Sequence, residues 1–412
     1  MVDLGDIRAA DAGQVGPKMA RLGQLAADGW RVPDGYAVTA GALDGWLPTA
    51  ARGELARLFS APAADTAGAV PGTSGASGAS SAPAGPPASA GERGELAGLA
   101  ARARALVESQ ALPSWLEDAV ADAHARLAAR TGREAALRVA VRSSAVSEDG
   151  HAASFAGQYE TYLGVSGVPD VLLHIRRCWA SGFSAHALAY RRRFGGASPV
   201  RVHDLAVGVV ELVDARSAGV AFTLDPVTGD RSTLVVEGNW GFGESVVSGH
   251  VTPDHWTVDR DSGRVLTART GAKRTWATFS PAAGRVVLSP LPDDLAGQAC
   301  LAEEEVRYIV AQAVAIEAAQ GGVPQDVEWA VARGAPFPDS VFFLQHRPET
   351  TWTGSPHRQT QPGSDQEAEP AAEATGAAGT PAPGGPAPPP AARPAFDPVQ
   401  YALRNVFKVP GA

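Results

Sequence analysis

Apolar residues along this chain recur at two different spacings, and the changes from one to the other mark out helices and strands. Steps of three begin with Met19, Leu22 and Leu25, which predict an amphipathic helix after Gly13-Gln14-Val15-Gly16-Pro17-Lys18. Helical spacing returns between Gly94 and Arg130, through Leu96, Leu99, Leu106, Leu112, Trp115, Leu116 and Val120. Pro113 breaks that stretch in two, with Ser114 as candidate cap of the second helix and Glu117 three residues on. A third helix is predicted over Val168–Phe194, and a long one from about Asp293 to Gln320. Between them, alternating or continuous apolar runs predict strands at Leu137–Val141, Leu205–Val213, Ala218–Leu224 and Leu234–Glu237, and Val32–Val38 reads as a turn feeding another. A meander follows at His255–Val258, Val265–Arg269 and Arg285–Leu288, and a hairpin pairs Gln325–Val331 with Val341–Arg347. The fold class expected from this mixture is α+β.

Two stretches carry neither period. Residues 61–93 are nearly all Ala, Gly, Ser and Pro up to Gly91, with Val70 the only larger aliphatic residue before that point. Residues 353–395 contain no Val, Leu, Ile, Met or aromatic residue. Neither can bury enough apolar surface to offset the entropy of ordering, so an insertion and a linker, both disordered, are expected. They divide the chain into a first unit (1–60 with 94–200), a second unit (201–352) and the segment 396–412. That segment regains apolar residues at helical steps (Val399, Leu403, Val406, Phe407) behind Asp397-Pro398. Such a face must be covered, either by this same domain or by a partner protein.

Composition narrows the function. A formal charge of −9 with no offsetting basic stripe argues against a nucleic-acid surface. Cys178 and Cys300 are too few for a disulfide framework or a metal cluster. No signal-like apolar core opens the chain and no run of 18 apolar residues occurs, so a cytoplasmic protein without a membrane span is expected.

Candidate chemistry gathers at two places. The strand ending Val141-Arg142-Ser143-Ser144 delivers a guanidinium and two hydroxyls to a loop of small residues that closes with Ser154, Ala156 and Gly157. Small residues let backbone N–H groups approach an anion, and arginine gives planar, permanent charge. An Arg142–Glu148 ion pair at a strand end is the plainer reading of the same residues. In the hairpin, period two puts Val327, Trp329 and Val331 on one face, Asp326 and Glu328 on the other, and Gln345 and Arg347 together on the partner strand. If the polar faces coincide, Glu328 and Gln345 offer the small set of oxygen ligands that Mg²⁺ takes from a protein, with Arg347 beside them. A chance Glu328–Arg347 pair is the alternative.

Taken together, Gly-Gln-Val-Gly-Pro-Lys, the Val141–Val165 stretch, Gln-Asp-Val-Glu-Trp and Leu-Gln-His-Arg-Pro-Glu-Thr resemble the nucleotide-binding domain shared by phosphoenolpyruvate synthase (pyruvate, water dikinase), pyruvate phosphate dikinase and rifamycin phosphotransferase, an ATP-grasp fold. The resemblance covers about residues 3–352. It implies that Lys18, Arg142 and Arg347 meet ATP phosphates, that Gly157 and Thr161 belong to the phosphate-covering loop, and that Glu211 to Val213 lie against adenine. It also implies Mg²⁺ on Glu328 and Gln345. The Gly238–Glu244 stretch resembles the family's Gly-Leu-Gly-Glu turn. Full-length members carry a phosphorylatable histidine in a Thr-Ser-His-Ala-like context, which none of the nine histidines here matches. The expected function is therefore an ATP-dependent phosphotransferase subunit that cleaves ATP towards AMP and phosphorylates a histidine on a separate partner protein. A non-catalytic nucleotide-binding module, or a ligase giving ADP, are the alternatives.

Overall fold

The structure, a computed structural model, describes residues 1–60, 90–134, 136–145, 160–185, 188, 205–247, 249 and 251–352. Gly157, most of the 61–93 insertion, the 353–395 linker, the 396–412 segment and the end of the helix expected up to Phe194 lie outside the described residues.

Two antiparallel sheets organise the chain. The first joins β1 (Val2–Asp3), β2 (Gly35–Val38), β3 (Val139–Ala145), β4 (Thr161–Val165) and β5 (Leu205–Glu211) in the order β1-β2-β5-β3-β4. Helices α2 (Ala40–Trp46), α3 (Thr49–Ser60), α4 (Ala90–Glu108), α5 (Ser114–Thr131) and α6 (Val168–Ser181) supply the core that covers one of its faces. There Tyr36, Val139, Val141, Val207 and Val209 meet Trp46, Leu116, Val120, Ile175 and Trp179. The rings of Trp46 and Trp179 stack at 4.9 Å. Alternation in the strands thus gives one face to this core and leaves Ala140, Arg142 and Ser144 on the other.

The second sheet joins β6 (Ala215–Phe222), β7 (Thr233–Trp240), β8 (Asp254–Asp259), β9 (Val265–Arg269), β12 (Gln325–Ala332) and β13 (Val341–Pro348) in the order β13-β12-β6-β7-β8-β9. One face packs on α9 (Glu303–Ala319) through Val306, Ile309 and Ile316 against Val327, Trp329, Val331 and Phe343. A separate hairpin, β10 (Thr275–Ser280) with β11 (Arg285–Pro290), packs Phe279 and Val286 beside Leu163 of β4 and Ala277 beside Phe242. It therefore touches both sheets. Helix α1 (Ala12–Ala27) likewise bridges them, with Met19 in the cluster under β2 and β5 and Leu25 in the core of the second sheet.

The structure corrects four expectations. Ser114 is the first helical residue, with Pro113 in the cap position and no side-chain cap. Strand β7 runs on through Gly238-Asn239-Trp240, because those residues keep pairing with Ser217 to Gly219. The meander's third strand belongs to the β10–β11 hairpin. The long helix is two pieces, α8 (Asp293–Ala296) and α9. Between them the chain is held by a buried carboxylate: Asp254 accepts the Cys300 N–H at 2.7 Å and pairs with the buried Lys273, whose ammonium also reaches the Gln298 carbonyl at 2.6 Å. A short helix α7 (Glu244–Val247) follows β7.

Candidate active site between the two sheets

The register of β12 and β13 sets Glu328 opposite Gln345 and Asp326 opposite Arg347, so the two polar faces coincide. Strict alternation would put Val341, Phe343, Gln345 and Arg347 on one face. A bulge at Leu344, between the Trp329–Phe343 and Glu328–Gln345 pairs, breaks it. Val341 and Phe343 consequently stay in the core with Trp329, while Gln345 and Arg347 turn to the opposite face. Through β6 and β7 the same row continues from Glu328 by Val220 to Glu237 and then to His255, whose Nδ1 lies 3.3 Å from the Glu237 carboxylate.

Arg142 reaches this row from the first sheet. Its guanidinium donates to the Leu344 carbonyl at 3.4 Å and to the side-chain oxygen of Gln345. Glu148, the partner in the alternative Arg142–Glu148 pair, lies outside the described residues. Thr161 stands directly opposite Arg142 across β3 and β4. Lys18 is held nearby through α1. The straight part of that helix starts at Pro17, after Gly16 at φ 73° and ψ 159°. A Cβ on Gly16 would lie 2.1 Å from the Ser144 carbonyl oxygen, so only glycine fits. Ser144 in turn accepts the Met19 N–H on its hydroxyl at 3.3 Å, which caps the helix from two residues beyond Arg142. Proline at this first position loses nothing, since its N–H would have had no helical partner.

Charge is concentrated and poorly hydrated. Asp326 accepts both Nε and a terminal nitrogen of Arg347 on one oxygen, at 3.0 and 2.9 Å. Its other oxygen is buried without a hydrogen-bond partner among the described residues. Burial raises the Asp326 carboxyl above the usual range, and Arg347 opposes that shift. His346, on the core side, holds Gln325 through Nδ1 at 2.9 Å, and burial lowers it to about 4. It is a neutral structural histidine.

The 211–213 segment has its own set of partners. The Glu211 side chain pairs with Arg133 at 2.8 Å, and burial raises its carboxyl. The N–H groups of Glu211 and Leu212 are taken by the carbonyls of Asp34 and Arg138, at 2.7 and 2.9 Å. Leu212 and Val213 join Phe342, Leu344 and Phe279 in one apolar cluster, which borders the polar row at the bulge. Period-two reasoning found Glu328, Gln345 and Arg347. It gave no sign of Glu237 and His255, whose approach depends on register across three further strands.

Among the described residues no group of three or more His, Cys, Asp or Glu side chains is set to hold a metal, and no helix is long and apolar enough to cross a membrane. A cation here would rest on the Glu328 carboxylate and the Gln345 amide oxygen, which stand opposite each other, hard oxygens of the kind Mg²⁺ takes from a protein. An apolar cluster thus lies beside a row that carries a guanidinium and oxygen donors. Residues 12–368 match the pyruvate phosphate dikinase AMP/ATP-binding domain, and the chain belongs to that family. It is 34% identical over 374 residues to a probable phosphoenolpyruvate synthase of Staphylothermus marinus, covering 86% of this chain and 41% of the relative. A probable phosphoenolpyruvate synthase of Methanothermobacter thermautotrophicus is 34% identical over 83% of this chain and 44% of its own. A rifampicin phosphotransferase of Streptomyces is 37% identical over 87% of this chain and 37% of its own. The chain thus spans about two fifths of the length of these relatives.

Proposed function

We propose that this chain is the ATP-grasp half of a dikinase-type phosphotransferase, which binds ATP with Mg²⁺ between its two sheets and cleaves it towards AMP, one phosphoryl group passing to a histidine on a separate protein and the other to water as inorganic phosphate. The observation that carries this reading is Arg142 of one sheet joined to Gln345 of the other, in the row that holds Glu328 and Arg347. Phosphoryl transfer needs positioning and charge neutralisation more than covalent help from the protein. Lys18, Arg142 and Arg347 place three fixed cations for the phosphates, and Glu328 with Gln345 hold the Mg²⁺. That ion, when bound, neutralises phosphate charge that the side chains leave unmatched. Leu212 and Val213 form an apolar wall for adenine, and main-chain groups of Glu211 and Val213 read its edge. Gly157 and Thr161 belong to the loop over the phosphates.

His346 is buried and engaged with Gln325, so it is unsuited to accept the phosphoryl group itself. The decisive measurement is the nucleotide product. The chain is incubated with Mg²⁺, ATP labelled at the β and γ phosphates, and a candidate histidine-bearing protein. AMP with acid-labile label on that protein is expected. ADP would indicate a ligase, and binding without turnover in the presence of every candidate carrier would indicate a non-catalytic module.

A further inference from the structure

On the α9 face of the second sheet, away from Glu328 and Arg347, lies a groove of about 440 Å³ between the first turn of α9 and the loop joining β12 to β13. Trp240, Leu301 and Val331 form its buried floor. Phe337 stands at the lip with 39% of its surface exposed. Arg216, forked onto Glu305 at 2.7 and 2.8 Å, closes one wall, and Glu304 is exposed on the rim beside Glu303. An apolar trough with an acidic rim suits an amphipathic segment whose polar flank is basic.

We propose that this groove seats residues 396–409 of the same chain. Val399, Leu403, Val406 and Phe407 recur at helical steps, and Arg404 and Lys408 follow directly after Leu403 and Phe407 in sequence. The sign of those charges complements Glu303 and Glu304. The tether also fits. The described residues end at Trp352, whose indole N–H donates to the Pro226 carbonyl at 3.1 Å, beyond the far end of β13 from the groove. Eight residues of strand measure about 27 Å. A coil of 43 residues, the length of the 353–395 stretch, has a root-mean-square span of about 36 Å. Effective concentration is greatest when the linker's span and the distance to be bridged are similar.

Hydrogen–deuterium exchange on the full chain without nucleotide tests this independently of the phosphotransfer reading. Amides of 396–409 should exchange at least tenfold more slowly than an unstructured peptide. Phe337→Glu should remove most of that protection, with unchanged exchange in β12 and β13 verifying the fold. Glu304→Lys should weaken protection several-fold, and adding Lys408→Glu should restore it. The proposal fails if the segment exchanges at unstructured rates, if its protection survives both groove variants, or if protection appears only when a second protein is added.

Discussion

Arg142 on β3 donates to the side-chain oxygen of Gln345 on β13, a contact between two sheets whose hydrophobic cores are separate. The same guanidinium takes the carbonyl of Leu344, the residue that forms the bulge. One arginine therefore reads both the side chain that the bulge re-aims and the backbone that makes the bulge. Any ligand that draws Arg142 or Gln345 towards itself acts on the seam between the sheets.

Replacing Arg142 by Ala should lower phosphoryl transfer by at least about 10²-fold, the usual scale for a lost positioned charge. Arg142 is only half-buried, so the thermal midpoint should shift by only a few degrees. Arg142→Lys keeps the charge but cannot fork to two acceptors, and should recover only part of the rate. Single-turnover rates with labelled ATP check this, and a wild-type rate from folded Arg142→Ala would remove Arg142 from the site.

Arg347 behaves differently because it neutralises Asp326. Removing one partner of a half-buried pair strands the other, so Arg347→Ala should cost about 2 kcal/mol of stability as well as activity. Asp326→Asn in the same chain removes the stranded charge. The double variant should regain most of the lost urea midpoint and none of the transfer rate. Recovery of both would make Arg347 a structural residue only.

The sequence itself made much of this legible, for physical reasons that differ from element to element. Period two in Asp326-Val327-Glu328-Trp329 reported its own faces correctly, since that strand is regular up to the bulge. The same rule would have failed across Phe343 to Gln345, where one extra residue inverts the phase. Glu237 and His255 were invisible because their place in the row that begins at Glu328 depends on pairing between strands, which no local pattern encodes. The split of the 293–320 helix was hidden for a similar reason: its cause is Asp254, which is distant in sequence.

His124 gives the fold a pH dependence unrelated to the site. It is 8% exposed on α5, its Nδ1 lacks a partner among the described residues, and burial lowers its pKa below 6.5. In the unfolded chain it binds a proton at pH 6.5 and below, while the folded chain resists until lower pH. The unfolded state thus holds more protons in that window, and stability falls as pH drops through it. His124→Leu should flatten the decline in stability measured between about pH 7 and 5. Urea midpoints at the two pH values, compared between wild type and variant, decide it; equal declines would be the contrary result.

The contact between Gly16 and Ser144 separates positioning of Lys18 from its charge. Gly16→Ala meets two obstacles: φ 73° with ψ 159°, a conformation open essentially to glycine alone and strained by about 1–3 kcal/mol for any other residue, and a carbonyl oxygen 2.1 Å from the new Cβ. The clash is with backbone at the end of β3, so relief must come from withdrawing α1. Ser144→Ala removes only the cap on the Met19 N–H and should cost about 1 kcal/mol with α1 left in place. Withdrawal carries Lys18 away from the end of β3, because Lys18 lies two residues after Gly16 at the start of the straight part of α1. ATP affinity should therefore fall at least tenfold in Gly16→Ala, about as far as in Lys18→Ala. Ser144→Ala should stay within about threefold of wild type, since a cap's worth of stability leaves the helix seated. Equilibrium binding of a fluorescent ATP analogue compares all three. Full affinity in a folded Gly16→Ala protein would show that Lys18 does not depend on the seating of α1.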